Sequence, residues 1–152
     1  MMLGLALQTY GQALAEEQEV LMYVADILID VYAADSAVLR ADAAATANLS
    51  RRSTQSSQNS QSQLFSADSA VSALNAERRA ALHVDAARVF VSDAALRIEV
   101  SARQALAAMT EGDALRTTLA ALRRVLKVTP INAVALRRRL ADEAVARGGY
   151  VF

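Results

Sequence analysis

Residues 67–109, "ADSAVSALNAERRAALHVDAARVFVSDAALRIEVSARQALAAM", form the longest uninterrupted periodic stretch of the chain, and its reading decides the fold. Neither glycine nor proline breaks it. Leu82, Val89 and Leu96 recur every seven residues on one side, and Val84, Val91 and Ile98 do so on another. A helix that is apolar on two sides lies between other polypeptide surfaces. The stretch therefore predicts a long, sandwiched helix from Ala67 to Met109.

The rest of the chain favours the same kind of structure. It has 152 residues, the size of one ordinary domain spanning 1–152, with a single proline, Pro130, and five glycines. Such a composition, rich in alanine, favours helix almost everywhere. Leu3, Leu7, Tyr10 and Leu14 fall at helical spacing, although nothing like an N-cap precedes them. From Glu16 to about Asn48, Val20, Leu21, Val24, Leu28, Val31, Tyr32, Val38 and Leu39 share one broad arc of a second long helix. Glu16, Glu17 and Glu19 sit in its first turn, where negative charge suits the helix dipole.

Asn48 to Ser66, "NLSRRSTQSSQNSQSQLFS", differs in character. It is polar and of low complexity, with too little apolar surface to offset its ordering entropy, so a disordered connector is predicted. Farther along, Gly112 marks a turn, Asp113 is a capping candidate, and Leu115, Leu119, Leu122 and Leu126 make the stripe of a short helix. For the last helix Thr129 can cap and Pro130 can take the first helical position, with a stop at Gly148 and Gly149. Together these segments predict an all-α, antiparallel helical bundle of four to five helices, two of them long.

Charge and composition exclude several function classes. Sixteen basic residues balance sixteen acidic ones, leaving no net field to draw the chain onto nucleic acid. There is no cysteine, which removes thiolate chemistry and disulfides. A di-iron bundle requires two Glu-x-x-His pairs, whereas this chain has one histidine, His83, with Ala80 three residues before it. No glycine-rich phosphate loop, nucleophile elbow or zinc-ligand spacing is present. The apolar start lacks a basic n-region and the length of a membrane span, so a cytoplasmic location is expected.

A helical wheel sorts the charged residues. Asp26 points to the solvent side and Asp30 to an edge, while Asp35 lies in the apolar arc with Val31 and Val38. On the last helix Arg137 falls among Ala133, Leu140, Ala141 and Ala144, with Arg138 and Arg139 flaring to either side. Asp93 and Arg97 are four apart on the Val89 and Leu96 face and can pair within their helix. Charges in an apolar stripe need partners, so Asp35, Asp93, Arg97 and Arg137 are the candidate buried charge pairs, with Arg137 meeting Asp35 or Asp93. Their expected role is structural. Arg123, Arg124 and Lys127, with Arg51, Arg52, Arg138 and Arg139, could track phosphates, but few aromatics accompany them, and a solvated or protein-facing surface is expected.

Four stretches carry a family resemblance: "YGQALAEEQEVLMYVADILIDVYAADSAVLRA", "DAARVFVSDAALRIEVSARQALAAMTEGDALRTTLAALRRVL", "TPINAVALRRRLADEAV" and "RGGYVF". In them the chain resembles the extra C-terminal helical domain of the very-long-chain class of acyl-CoA dehydrogenases and their bacterial relatives. Asp35 and Arg137 fall inside these stretches. The resemblance implies a helical accessory domain that is not catalytic by itself and packs against a catalytic body acting in fatty-acid β-oxidation. It implies FAD in that body and no cofactor, metal or catalytic residue in this chain. The expected partners are an acyl-CoA dehydrogenase catalytic domain or subunit and further copies of the chain in a homo-oligomer, with no nucleic acid. The alternative is a membrane-peripheral or nucleic-acid-binding helical module, for which Asp113 to Lys127 is the one membrane-facing candidate.

Overall fold

A computed structural model describes residues 2–58, 67–150 and 152, with side chains described outside 51–70. All the regular elements among them are helical: α1 (Met2–Tyr10), a 3₁₀ turn (Gly11–Glu16), α2 (Gln18–Gln58), α3 (Ala67–Met109), α4 (Gly112–Val125) and α5 (Ala133–Arg147). The all-α architecture with two long helices is the one the periodicity predicts, and α3 has the predicted bounds.

Several boundaries differ for local reasons. Gly11 adopts φ +56°, a left-handed conformation that ends α1 and redirects the chain into the 3₁₀ turn. Beyond Asn48, α2 continues to Gln58, because extending a formed helix costs far less than nucleating one. The rest of the predicted connector, 59–66, lies outside the described residues. Glu111 is the N-cap of α4, which places Asp113 in the first turn. Asn132 caps α5 by accepting from the Ala135 N–H at 3.0 Å, so neither Thr129 nor Pro130 takes the predicted place. Gly148, at φ +66°, closes α5, and its N–H and that of Gly149 reach back to the last carbonyls.

The chain divides into two compact units. The first comprises Met1–Ala34 and Val91–Ile131. Its core joins Ala6 and Leu14 to Val20 of α2, Ala102, Ala105, Leu106 and Met109 of α3, and Leu122 of α4. The alanines of α3 let neighbouring helices approach closely, and Leu106 fills the centre at 0% exposure. Within this unit α2 and α3 run antiparallel: Val20 shares a core with Ala102 to Met109, while Asp30, farther along α2, meets Arg97, earlier on α3. In α1 the buried residue is Ala6, with Leu3 and Leu7 exposed, a departure from the predicted leucine stripe.

The second unit comprises Asp35–Phe90 and Asn132–Phe152. Among the described residues its buried side chains are Leu82, the alanines Ala41, Ala80 and Ala87, and the carboxylates Asp85 and Glu143. Here α3 and α5 are joined by ion pairs in antiparallel register, Arg78 to Glu143 and Asp85 to Arg139.

Candidate functional site

In the first unit, Asp30 and Arg97 link α2 to α3. Arg97 Nη2 donates to Asp30 Oδ1 at 2.6 Å and Nε to Oδ2 at 3.1 Å, a two-nitrogen grip that holds the carboxylate plane. The hydrogen bond to Asp30 raises the Arg97 pKa, partial burial opposes the rise, and the Asp30 and Asp93 charges add to it. The pair lies in a cleft of about 590 Å³ whose apolar walls are Ile29, Leu96 and Val100. These side chains are not covered: Ile29 is 65% exposed and Leu96 61%. Leu28, Val31 and Tyr32 of α2 are exposed as well.

In the second unit the charges are deeper. Glu143 is buried and held by two arginines, with Arg147 Nε donating to its Oε1 at 2.6 Å and Arg78 paired to Oε2. Burial pushes the Glu143 carboxyl up, but the Arg147 hydrogen bond and the charges of Arg78 and Arg147 outweigh it and leave the pKa below its ordinary value. Asp85 is also buried. Its Oδ2 makes no directed hydrogen bond among the described residues, so the Arg139 charge is its compensation. The His83 ring packs against Phe152 at 4.6 Å between centroids.

The four candidate charge-pair residues are thus redistributed. Arg97 does bridge helices, but to Asp30, with half-buried Asp93 one turn away acting through its charge. Asp35 is exposed rather than buried, because the Val31 and Val38 face of α2 points outward. Arg137 is exposed, and Arg139 pairs with the buried Asp85 carboxylate. The buried carboxylates themselves, Asp85 and Glu143, were not singled out from the sequence. A signal was there: Asp85 is three residues after Leu82 and four before Val89, and Glu143 three after Leu140, so both lie on apolar stripes.

A family model described as "Acyl-CoA dehydrogenase, C-terminal domain" matches residues 1–61 and 56–124. The chain belongs to that family. A probable acyl-CoA dehydrogenase of Bacillus subtilis (strain 168) is 39% identical over 138 residues, covering 91% of this chain and 19% of that protein. A crystal structure of acyl-CoA dehydrogenase complexed with FAD from Bacillus anthracis matches with a TM-score of 0.72 at 31% identity, over 97% of this chain and 21% of that one. This acyl-CoA dehydrogenase C-terminal domain therefore spans about a fifth of the length of these relatives. Helix α5 lies beyond the residues matched by the family model, yet the structural match takes in nearly the whole chain.

The chemistry open to the domain follows from these side chains. Among the described residues no group of three or more histidine, cysteine, aspartate or glutamate side chains could hold a metal ion. No helix among them is long and apolar enough to cross a membrane. A flavin needs hydrogen-bond donors along its ring and pyrophosphate, commonly supplied by free backbone N–H groups. The clefts here are lined by residues inside α2 and α3, whose N–H groups are used within the helices, and Arg97 is already engaged by Asp30. The described residues lining these two clefts do not fit FAD.

Proposed function

We propose that this chain is a non-catalytic accessory and docking domain of an acyl-CoA dehydrogenase-like flavoprotein of fatty-acid β-oxidation. It assembles with a catalytic domain or subunit that carries the FAD and the reacting groups, in a cytoplasmic homo-oligomer. The observation that carries this reading is the exposed apolar cleft wall of Ile29, Leu96 and Val100 on a domain whose fold recurs as a fifth of a much longer relative. Contiguous exposed apolar side chains mark surfaces that another polypeptide covers.

The membrane-peripheral alternative loses its main support in α4. Leu122 is buried in the core of the first unit and Leu115, Leu119 and Leu126 pack against it, so the stripe needed for insertion faces inward.

Co-expression tests the docking reading. The Bacillus subtilis relative, lacking the segment that matches this chain, is produced with and without the chain, and the purified flavoprotein is sized. Recovery of a stable complex containing both polypeptides, with the flavin in the larger one, is the expected result. Independent migration of the two in every condition, with the truncated relative fully assembled, contradicts it.

A further inference from the structure

The second unit contains a cleft that the docking surface does not use. It lies between α2 and α3, has a volume of about 520 Å³, and includes alanines of both helices. Ser72, Asn75, Arg79 and His83 line it from α3, spaced three, four and four residues apart, which sets them along one helical face. Asn48 lines it from α2. This volume lies within the range of about 300–1,000 Å³ that holds small molecules.

The polar groups in this cleft share one chemistry. Guanidinium, imidazole, amide and hydroxyl all donate hydrogen bonds, and among the described residues no carboxylate lines the cleft. Two neighbouring cations of the same unit are committed: Arg78 to the buried Glu143 and Arg139 to the buried Asp85. Arg79 differs from them. It is exposed and makes no ion pair among the described residues, so its guanidinium is available to a ligand. Phe152 packs against the His83 ring, and Tyr150 meets Phe152 edge-on at 5.6 Å, which limits the imidazole's freedom. A cleft whose described polar lining is made of donors, with an uncommitted guanidinium among them, suits a compact oxyanion.

We propose that this cleft binds the phosphate group of a dissolved small molecule, with Arg79 as the anchoring charge and Asn48, Ser72, Asn75 and His83 as further hydrogen-bond donors. This site is independent of the docking surface in the first unit.

His83 is the only histidine, so its imidazole C–H resonances report on this cleft alone. The full chain is titrated with inorganic pyrophosphate at fixed ionic strength while those resonances are followed. A saturable shift is expected, with Arg79→Gln weakening half-saturation by about tenfold, the effect of losing one charge-assisted hydrogen bond. Arg116→Gln, on α4 in the other unit, leaves the titration unchanged, and circular dichroism confirms that both variants keep their helices. A shift that fails to saturate, that sodium chloride reproduces, or that Arg79→Gln leaves intact overturns the proposal. A shift produced by phosphatidate vesicles and not by pyrophosphate overturns the assignment to a dissolved ligand.

Discussion

Asp30 and Arg97 tie α2 to α3 through two nitrogens of one guanidinium, with the shorter contact at 2.6 Å, between the exposed apolar side chains of Ile29, Leu96 and Val100. Asp30 is largely shielded while Arg97 is half exposed, so the pair is open to salt. Asp30→Asn is expected to lower the melting temperature, with the difference from wild type shrinking as ionic strength rises. Asp35→Asn, at an exposed position of the same helix, is expected to change stability by no more than about 0.5 kcal/mol. Thermal melts of both variants at low and high salt check the contrast, and equal effects would dissolve it.

The arginine triplet of α5 separates by partner. Removing Arg139 strands the buried Asp85 carboxylate, whose desolvation then goes uncompensated. Arg139→Gln is expected to cost about 1–3 kcal/mol, toward the lower end because Arg139 itself is 61% exposed. Arg137→Gln is expected to cost less. Replacing both partners, Asp85→Leu with Arg139→Leu, should recover much of the loss, since no buried charge remains. Urea titrations measure each variant, and a larger loss for Arg137→Gln than for Arg139→Gln would reverse the assignment.

Glu143 supplies a pH dependence whose sign follows from its environment. Its folded pKa lies below the ordinary value of 4.5. A carboxyl depressed on folding contributes stability above its unfolded pKa and loses it as pH falls through the folded one. Unfolding midpoints should therefore decline from just above pH 4.5 downward, and Glu143→Gln should lower stability at neutral pH while flattening that decline. A Glu143→Gln profile parallel to that of wild type at every pH would contradict the role given to the Arg78 and Arg147 pairs.

Leu106 is the large side chain buried completely at the centre of the first unit. Leu106→Ala leaves a cavity among Ala102, Ala105 and Leu122 and is expected to cost about 2–5 kcal/mol. Chemical denaturation followed by circular dichroism reads the loss. A cost below about 1 kcal/mol would mean that the surrounding helices close the gap.

Helices were more legible in the sequence than the direction of their faces. Ala67 to Met109 could be bounded from periodicity because its apolar residues recur on every turn. The wheel of α2 failed at Asp35 for a physical reason: the helix has apolar residues on more than one side. Val20 and Val24 are packed in this unit, whereas Val31, Tyr32 and Val38 are exposed, and apolar character alone cannot tell one from the other. On α5 an abundance of alanine blurred the inward side. Leu136 and Leu140 with buried Glu143 define it, which turns Arg137 outward. Asn132 displaced the predicted caps because its side chain, rather than that of Thr129, reaches the free N–H of Ala135.

The most direct test of the docking reading is light-scattering size exclusion of the isolated chain at two concentrations, with the visible spectrum recorded across the same peak. A colourless helical species whose mass rises with concentration, and less so after Ile29→Asp in the exposed surface, is the expected result. A peak with flavin absorbance, or a monomer unchanged by concentration and by Ile29→Asp, would contradict it.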